Sequence, residues 1–401
     1  MGPPKMKHEL ESIVYLSLVP LDRKKAYSVT TIQTAVELRR LGIQLKYFGP
    51  FSKFKFPSGW PFQKSATFKG VFLSLNAMLF HVKIISKFSF ALQRFLLKSQ
   101  LFTSGVVSKE DWLWTRDVRI ALSLANRGIS VLCEVHHSLS AKEIAWLNNT
   151  QSPEKLYLFP ISEFLEHHLS SRLSNKQIKI SRLPMGANNS FFSEPSQNLK
   201  YELVGKIQVG YIGSYETLGI RAGLEETVLS LSSMSDLSID FLVVGVGKNG
   251  GAILKRYFNK LKSEKVFTNM SLTIVPWVQH ELVSKYIKAC HIVILPYQEN
   301  GFNSGRFPIK AVEYAASRIP ILCSDTQGHR TIFNDKQVSF YNPDNHESMK
   351  LVIEKLVGDF EYRKSQIDNA YSFALRHTYS IRAQTLIANI SPNSVERGLY
   401  K

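Results

Sequence analysis

Short apolar runs that alternate with helical segments constrain the fold of this sequence more than any other feature. The run SIVYLSLVP at residues 12–20 predicts a buried strand, and a helix over about Thr30–Leu41 follows it and ends at Gly42. The run IQLKYFG at residues 43–49 then predicts a second strand. This order indicates a parallel α/β layer, because parallel strands need a crossover between them.

The same alternation occupies both halves of the chain. ISVLCEVHH at residues 129–137 predicts a strand, and LYLFPISEFLEHHL at 156–169 predicts a strand followed by a helix. After a polar segment at 190–202, KIQVGYIGS at 206–214 begins the pattern again. A length of 401 residues allows two domains. We therefore predict an α/β fold of two domains in series that join near residue 195.

Basic side chains are in large excess and are unevenly distributed. The chain carries 50 Lys and Arg against 32 Asp and Glu, a formal net charge of +18. Residues 38–109 contain twelve Lys and Arg and neither Asp nor Glu. Such a field attracts nucleic acid, anionic lipid or a polyanionic substrate. A solvated basic face without a partner is the alternative.

Within the segment 50–104, a predicted helix over residues 71–101 is apolar nearly all round. Its basic side chains follow one another at spacings of 4, 7 and 4 residues and share one face: Lys83, Lys87, Arg94 and Lys98. Large apolar side chains accompany that face: Phe80, Phe88, Phe90, Phe95 and Leu96. A helix at a lipid interface has this pattern. An ordinary domain helix with its basic face in water is the alternative.

Cysteine usage and the apolar segments narrow the class and location of the protein. Cys133, Cys290 and Cys323 lie in apolar runs, which predicts buried thiols in a reducing cytoplasm. The sequence has neither CxxC nor HExxH, so we expect no structural zinc site. It has no run of 18 apolar residues and no leader-like N-terminus, so we predict neither a transmembrane helix nor a signal peptide.

The segment FNSGRFPIKAVEYAAS predicts a phosphate site at the start of a helix. Gly305 belongs to a flexible turn, and Pro308 suits the first turn of the helix that follows. Backbone N–H groups at a helix start bind anions, and Arg306 and Lys310 add positive charge for a diphosphate. Glu313 has the chemistry to accept two hydrogen bonds from a ribose diol, and an ordinary surface carboxylate is the alternative for it.

Two further strand ends carry glycine-rich turns. In YIGSYETLGIRAG, Gly213 permits close approach of a ligand to the backbone, and Arg221 is placed to reach an anion. VVGVGKNGG matches GxGxxG at Gly245, Gly247 and Gly250. A dinucleotide site also needs an acidic residue at the end of the next strand, and LTIVPW has none there. The match therefore does not indicate NAD or NADP.

The strand end CEVHH supplies the candidate residues of the first half. His136 and His137 follow Glu134 at the carboxyl end of a strand, where α/β sheets bind ligands. A packed or solvated histidine is the alternative. The sequence has no DxD triplet, so we expect a diphosphate leaving group to be neutralised by cations and backbone N–H groups, without a metal or other cofactor.

An ordered series of segments resembles glycosyltransferases of the GT-B fold, in particular the retaining enzymes of family 4. In the second half the series is VGYIGS, FLVVGVG, IVPWV to ELVSKYIKACHIVILPY, and PIKAVEYAASRIPILCSD. RLPMGANNSFF, DWLWTRD and CEVHH resemble first-domain segments, and FALRHTYSIRAQT resembles the terminal helix. The resemblance implies two Rossmann-like domains facing a cleft. It places an acceptor domain at 1–195, a donor domain at 203–375, and a terminal helix at 376–401 that crosses back to the first domain.

The resemblance also implies a reaction and its residues. Sugar would pass from a nucleoside-diphosphate sugar to an acceptor with retained anomeric configuration and no metal ion. By position, His136 would lie at the donor sugar and diphosphate, and Glu313 would hold the ribose; these are the candidate catalytic residues. The candidate donor-binding residues are Gly213, Ser214, Arg221, Trp277, Val278, Gly305, Arg306, Lys310 and Glu313.

The sequence departs from the family pattern in three places. The position eight before Glu313 is Gly305, where the family has a sugar-contacting glutamate. The turn after the first strand is LDRKKAYS instead of a glycine-rich loop, and an expected Arg and Lys pair is reduced to Arg221. A GT-B sugar-nucleotide epimerase and a non-catalytic module that binds nucleotide sugars are therefore kept as alternatives.

The charge distribution and the resemblance together predict the partners. We expect a lipid-linked or surface-glycan acceptor, an anionic membrane bound through residues 50–104, and no nucleic acid, since the basic segment belongs to no nucleic-acid module. The expected location is the cytoplasm, peripheral at the inner face of the membrane.

Overall fold

The computed structural model describes residues 12–18, 21, 26–49, 61–62, 94–95, 97–101, 103, 107–108, 110–192, 203, 205–264 and 269–390. Its contacts divide the chain into two compact units. The first consists of the described residues of Met1–Pro184 together with those of Tyr379–Lys401, and the second consists of those of Met185–Thr378. None of the helices in the described part has the length and apolar content that crossing a bilayer requires.

The first unit contains a parallel sheet of six strands in the order β2-β1-β3-β4-β5-β6. The strands are β1 Ser12–Leu16, β2 Gln44–Phe48, β3 Trp112–Thr115, β4 Val131–Val135, β5 Leu156–Pro160 and β6 Lys179–Ile180. Its helices are α1 Ala26–Arg40, α2 Val118–Ala125, α3 Ala141–Asn148, α4 Glu163–Arg172 and, from the end of the chain, α13 Tyr379–Ile390. The strand order reverses between β1 and β3, which is where such sheets form a ligand crevice.

Polar caps begin the helices that follow the strands of this sheet. The Asp117 carboxylate accepts a hydrogen bond from the backbone N–H of Ile120 at 2.9 Å and starts α2. Ser140 and Glu143 form a capping box at the start of α3, and Ser162 caps α4. Each cap satisfies backbone N–H groups that lack a partner within the helix, so the helix begins at a defined residue near the sheet edge.

Apolar side chains cover both faces of the first sheet. All five residues of β4 and all five of β5 are buried, as expected for central parallel strands. One core includes Leu113 and helix α2, and the other contains Leu38 of α1 and Leu386 of α13. The last helix of the chain is therefore part of the core of the first unit.

The second unit contains a parallel sheet in the order β11-β10-β7-β12-β13-β14. The strands are β7 Ile207–Ile212, β10 Ile239–Val244, β11 Met270–Val275, β12 Ile292–Leu295, β13 Ile321–Ser324 and β14 Ser339–Tyr341, and β8 Glu216–Thr217 pairs with β9 Ile220–Arg221 as a separate hairpin. The helices are α5 Leu224–Ser232, α6 Gly247–Ser263, α7 His280–Lys288, α8 Gly301–Ser304, α9 Ile309–Ala316, α10 Gln327–Arg330, α11 His346–Gly358 and α12 Phe360–Leu375. This is the Rossmann strand order, with its reversal between β7 and β12.

The structure confirms the expected α/β class and refines several boundaries. The first strand ends at Leu16, and the helix after it spans Ala26–Arg40 instead of starting near Thr30. The units divide after Pro184, whereas the sequence indicated a join near residue 195. Asn189–Phe191 form a short 3₁₀ turn within the second unit. The polar composition of the segment around 190–202 therefore did not mark where contacts change.

The cysteines are buried and free, as predicted. Cys133, Cys290 and Cys323 form no disulfide, and burial raises the pKa of each thiol.

The predicted basic helix lies mostly outside the described residues, including Lys83 and Lys87. Of its other two cations, Arg94 Nη2 lies 2.8 Å from a carboxylate oxygen of Asp117, and Lys98 donates a hydrogen bond to Ser123 at 3.2 Å. These two side chains thus contact helix α2 and its cap, so they do not form a wholly solvated basic face.

Candidate functional site

A buried carboxylate at the carboxyl end of β4 organises the candidate residues of the first unit. Glu134 Oε2 lies 2.7 Å from His136 Nε2, 2.8 Å from Arg382 Nη2 and 3.1 Å from Arg116 Nη2. Glu134 Oε1 accepts a hydrogen bond from Trp114 Nε1 at 3.0 Å. One carboxylate therefore ties together residues of β3, β4 and α13.

The charges of this cluster fix the protonation of its members. Burial alone would raise the pKa of Glu134, but Arg382 and Arg116 hold it well below the usual range, so the carboxylate is ionised. Burial and the charge of Arg116 lower the pKa of His136 to about 4. The neutral imidazole then donates its Nε2–H to Glu134 and leaves Nδ1 as a hydrogen-bond acceptor.

Arg382 is a member of this cluster that the sequence did not single out. Its side chain is buried, with Nε donating to Thr34 Oγ1 at 3.1 Å and Nη1 donating to the carbonyls of Leu183 and Pro184. An arginine in an otherwise amphipathic terminal helix is an ordinary surface pattern, so only the fold reveals its partner. His137, the second histidine of CEVHH, is exposed.

The candidate site of the second unit lies at the carboxyl ends of β7 and β12, where the strand order reverses. Lys310, in the first turn of α9, donates a hydrogen bond to Tyr211 Oη at 2.8 Å. Its ammonium lies 4.1 Å from the centre of the Tyr211 ring and 5.4 Å from that of Tyr297. A Cβ atom at Gly213 would collide with this ammonium, so Gly213 makes room for Lys310.

Arg306 brings a second cation to the same edge. Its guanidinium carbon lies 4.6 Å from the centre of the Tyr297 ring and 5.3 Å from that of Phe302, and Nη2 donates to Thr217 Oγ1 at 3.4 Å. Burial would raise the pKa of the Tyr297 hydroxyl, but the charges of Lys310 and Arg306 lower it below the ordinary value. The edge is therefore strongly electropositive, which suits an anionic ligand.

Glu313 lies on the same helix as Lys310 and is held by a histidine from another helix. Its Oε1 accepts a hydrogen bond from Nε2 of His280, the first residue of α7, at 2.6 Å. The His280 ring packs against Phe191 with 5.4 Å between ring centres. Burial would lower the pKa of His280, but the hydrogen bond and charge of Glu313 raise it. Glu313 is thus a buried, paired carboxylate, and the surface alternative for it is wrong.

The remaining predicted donor-binding residues lie outside the group formed by Lys310, Arg306 and the two tyrosines. Arg221 pairs with Glu225 at 3.2 Å on the surface, and Ser214 Oγ lies 3.1 Å from Thr217 Oγ1. Trp277 is 42 % exposed in the loop after β11. Two further predicted residues are Val278, which is half-buried in that loop, and Gly305, which ends α8. The structure groups Gly213, Arg306 and Lys310 around two tyrosines and places Arg221 in a separate pair.

Backbone conformation and packing explain the glycines of the GxGxxG match. Gly245 and Gly247 adopt φ of 90° and 70°, the left-handed region that favours glycine. A Cβ at Gly250 would meet the Tyr215 side chain at 2.5 Å. Left-handed backbone at Gly245 and Gly247, together with close packing of α6 on the turn after β7 at Gly250, therefore accounts for this motif. In the described part of the chain no group of three or more His, Cys, Asp or Glu side chains is arranged to hold a metal ion.

Comparison with known families identifies the second unit. The family model for glycosyl transferases group 1 matches residues 208–373. The match covers the electropositive edge, helix α9 and the His280–Glu313 pair. Among curated proteins, no relative matches the sequence.

Solved structures match nearly the whole chain. Sucrose-phosphate synthase from Thermosynechococcus elongatus has a TM-score of 0.67 at 15% identity and covers 97% of this chain and 100% of its own. HepE from Anabaena, in complex with UDP and glucose, has a TM-score of 0.61 at 11% identity, with 96% and 99% covered. The lipopolysaccharide outer core galactosyltransferase WaaB has a TM-score of 0.59 at 14% identity, with 95% and 99% covered.

At these sequence identities the structural similarities establish the fold. The family match over residues 208–373 indicates glycosyl transfer by the second unit. The two Rossmann-like sheets, the group 1 domain over residues 208–373 and the structural neighbours lead to one conclusion. The chain is a glycosyltransferase with the GT-B fold.

Proposed function

We propose that the protein is a retaining, metal-independent glycosyltransferase that moves a sugar from a nucleoside-diphosphate sugar to a lipid-linked or surface-glycan acceptor. The observation that carries the donor half of this proposal is the pair of cations, Lys310 and Arg306, grouped at the β7 and β12 ends beside Gly213. A departing diphosphate needs stabilisation of this kind.

The cations would act where negative charge develops. Cleavage of the anomeric bond leaves a nucleoside diphosphate whose extra charge falls on the terminal phosphate. Lys310 is oriented by Tyr211 and Arg306 by Tyr297 and Thr217, so neither needs to reorganise as the bond breaks. The first turn of α9 adds its partial positive charge. These groups supply the stabilisation that a metal ion supplies in other transferases.

Recognition of the nucleoside would use Glu313 and the loop after β11. Glu313 Oε1 is held by His280, and its Oε2 is available to accept a hydrogen bond from a ribose hydroxyl. The backbone around Trp277 and Val278, in the loop after β11, would read the base. Arg221, on the hairpin after Ser214, would be a peripheral diphosphate contact.

In the first unit, His136 would contact the donor sugar. The neutral His136 ring donates its Nε2–H to Glu134, which leaves Nδ1 without a proton. Nδ1 can therefore accept a hydrogen bond from a sugar hydroxyl. We infer front-face attack by the acceptor hydroxyl, since the resemblance to family 4 implies retention. The contribution of His136 is then orientation of the donor instead of proton transfer.

The acceptor is inferred from charge and from one neighbour. Residues 38–109 contain twelve Lys and Arg and neither Asp nor Glu, which favours an anionic surface. WaaB, one of the similar structures, acts on a lipopolysaccharide core. We therefore infer a cytoplasmic enzyme that meets its acceptor at the inner face of a membrane.

The donor proposal is tested by calorimetric titration with UDP, GDP, ADP and the corresponding monophosphates. We expect one diphosphate to bind at least about tenfold more tightly than its monophosphate. Lys310→Met should remove most of that preference, whereas Lys255→Met, on the exposed face of α6, should keep it. If the wild-type protein binds every monophosphate as tightly as the corresponding diphosphate, the proposal of a diphosphate site is wrong. Product analysis without acceptor then separates a transferase from an epimerase.

A further inference from the structure

His280 makes two side-chain contacts that the proposed transfer reaction does not itself use. It begins α7, its ring packs on Phe191, and its Nε2 lies 2.6 Å from Glu313 Oε1. The contact joins the first residue of α7 to the middle of α9, and β12 and α8 lie between these two helices in sequence. The aromatic packing fixes the plane of the imidazole, so the hydrogen bond has a fixed direction.

This bond leaves Glu313 with one oxygen for a ligand. Within the described residues, Oε2 makes no hydrogen bond, and the Glu313 side chain is 7% exposed. A carboxylate that is held at one oxygen presents the other in a single direction. Lys310 lies three residues earlier on α9, so the ammonium and the carboxylate lie on neighbouring parts of one helix surface.

The pair also balances charge. An unpaired carboxylate close to a diphosphate would repel it, and burial makes such repulsion stronger than in water. Burial would lower the pKa of His280, but the hydrogen bond and charge of Glu313 raise it, and a proton on His280 would offset the carboxylate charge. His280 thus directs Glu313 Oε2 and reduces the charge of the pair. Both effects favour binding of a ribonucleotide at this edge.

We propose that His280 is a positioning residue for ribose recognition, which fixes Glu313 so that its Oε2 accepts a hydrogen bond from a ribose hydroxyl of the nucleotide. This inference rests on the proposed contact between Glu313 and the donor ribose. It adds that ribose selectivity depends on a residue that does not touch the nucleotide.

The test compares UDP, GDP or ADP, whichever binds the wild-type protein best, with its 2′,3′-dideoxy analogue. We expect the wild-type protein to prefer the ribonucleotide by about tenfold or more. His280→Ala should lose most of this preference by weakening ribonucleotide binding, while affinity for the dideoxy analogue changes less than about twofold. His280→Gln retains an N–H donor and should restore part of the preference.

A matched control comes from another histidine at the first residue of a helix. His346 begins α11 and its Nδ1 lies 2.6 Å from Ser230 Oγ, so His346→Ala also removes one side-chain contact of the second unit. Its ribose preference should equal that of the wild-type protein. In a Glu313→Gln background, His280→Ala should cause no further loss of preference.

The outcomes separate the two proposals. If the wild-type protein binds both analogues equally, the contact between Glu313 and ribose is wrong and the role of His280 falls with it. If the wild-type protein discriminates and both His280 variants discriminate to the same degree, the positioning role alone is overturned. A thermal melt of each variant verifies folding, and His280→Gln carries the test if His280→Ala does not fold.

Discussion

Glu134 shows how one residue can order a candidate site. Its buried carboxylate faces two guanidinium groups, Arg116 and Arg382, and an imidazole, His136. Removal of one charge from such a cluster leaves the others buried without compensation, which costs more than an intact pair contributes. The cluster therefore links the stability of the first unit to the orientation of His136.

We expect Glu134→Gln to lower the free energy of unfolding by about 3 kcal/mol, because both arginines lose their anionic partner. Chemical denaturation measures this loss. The control is Glu163→Gln, which removes an exposed carboxylate 2.7 Å from Arg182 and should change stability by less than about 1 kcal/mol. Equal losses in the two variants would contradict a role of burial.

The protonation of His136 gives a second prediction at this scale. Its pKa is about 4 in the folded protein and about 6.5 in an unfolded chain, so the unfolded chain takes up the proton first as pH falls. Stability should therefore decrease between pH 6.5 and pH 4 more steeply in the wild-type protein than in His136→Gln. Urea denaturation at pH 7 and pH 5 measures the difference, and parallel pH dependence in both proteins would show that His136 titrates normally.

At the scale of elements, the second site depends on how closely helix α9 approaches the turn after β7. The Lys310 ammonium fills the space that a side chain at Gly213 would need, and the Lys310 hydrogen bond reaches Tyr211 within β7. The helix and the strand are thus joined at the point where a parallel sheet binds its ligand.

Gly213→Ala should displace Lys310 and weaken binding of the preferred nucleoside diphosphate by about tenfold, a loss of about 1.4 kcal/mol. Calorimetric titration measures this change. At Gly301 an added Cβ meets no neighbour within 4 Å, so Gly301→Ala serves as the control and should bind normally. In Lys310→Met the Gly213→Ala change should have little further effect, and a full additional loss would show that Gly213 acts independently.

Elements were more predictable from sequence than the contacts between them. HIVILPY and PIKAVEYAAS mark β12 and α9 to within three residues, because buried runs and a helix-starting proline are local signals. Lys310 and Arg306 were found by the same local pattern. His280, Tyr211 and Arg382 were missed, since His280 is 33 positions from Glu313 and only tertiary structure brings them together.

At the scale of the whole molecule, the basic excess and the family match lie in different parts of the chain. Residues 38–109 carry twelve cations, and those of them that the structure describes belong to the first unit, whereas the match to the glycosyltransferase family lies in the second. The proposed donor chemistry and the proposed membrane attraction would therefore depend on different parts of the chain, and variants can test each alone.

Liposome flotation tests the surface role. The full-length protein should bind vesicles that contain anionic lipid and should lose affinity when Lys83 and Lys87 are both changed to Gln, by about 1 kcal/mol for each cation near the surface. The control changes the exposed Lys255 and Lys262 of the second unit to Gln and should bind normally. Binding that is the same for both double variants would contradict a membrane-facing segment.

The contacts of Arg382 have a consequence for the order in which the protein is made. A ribosome that has completed Pro184 has already synthesised every strand of the first sheet, yet Arg382 is encoded 198 residues later. Until that codon is translated, the nascent sheet holds Glu134 with one guanidinium instead of two and lacks the α13 side of its core. The first unit therefore cannot complete its core until residues near the end of the chain have been synthesised.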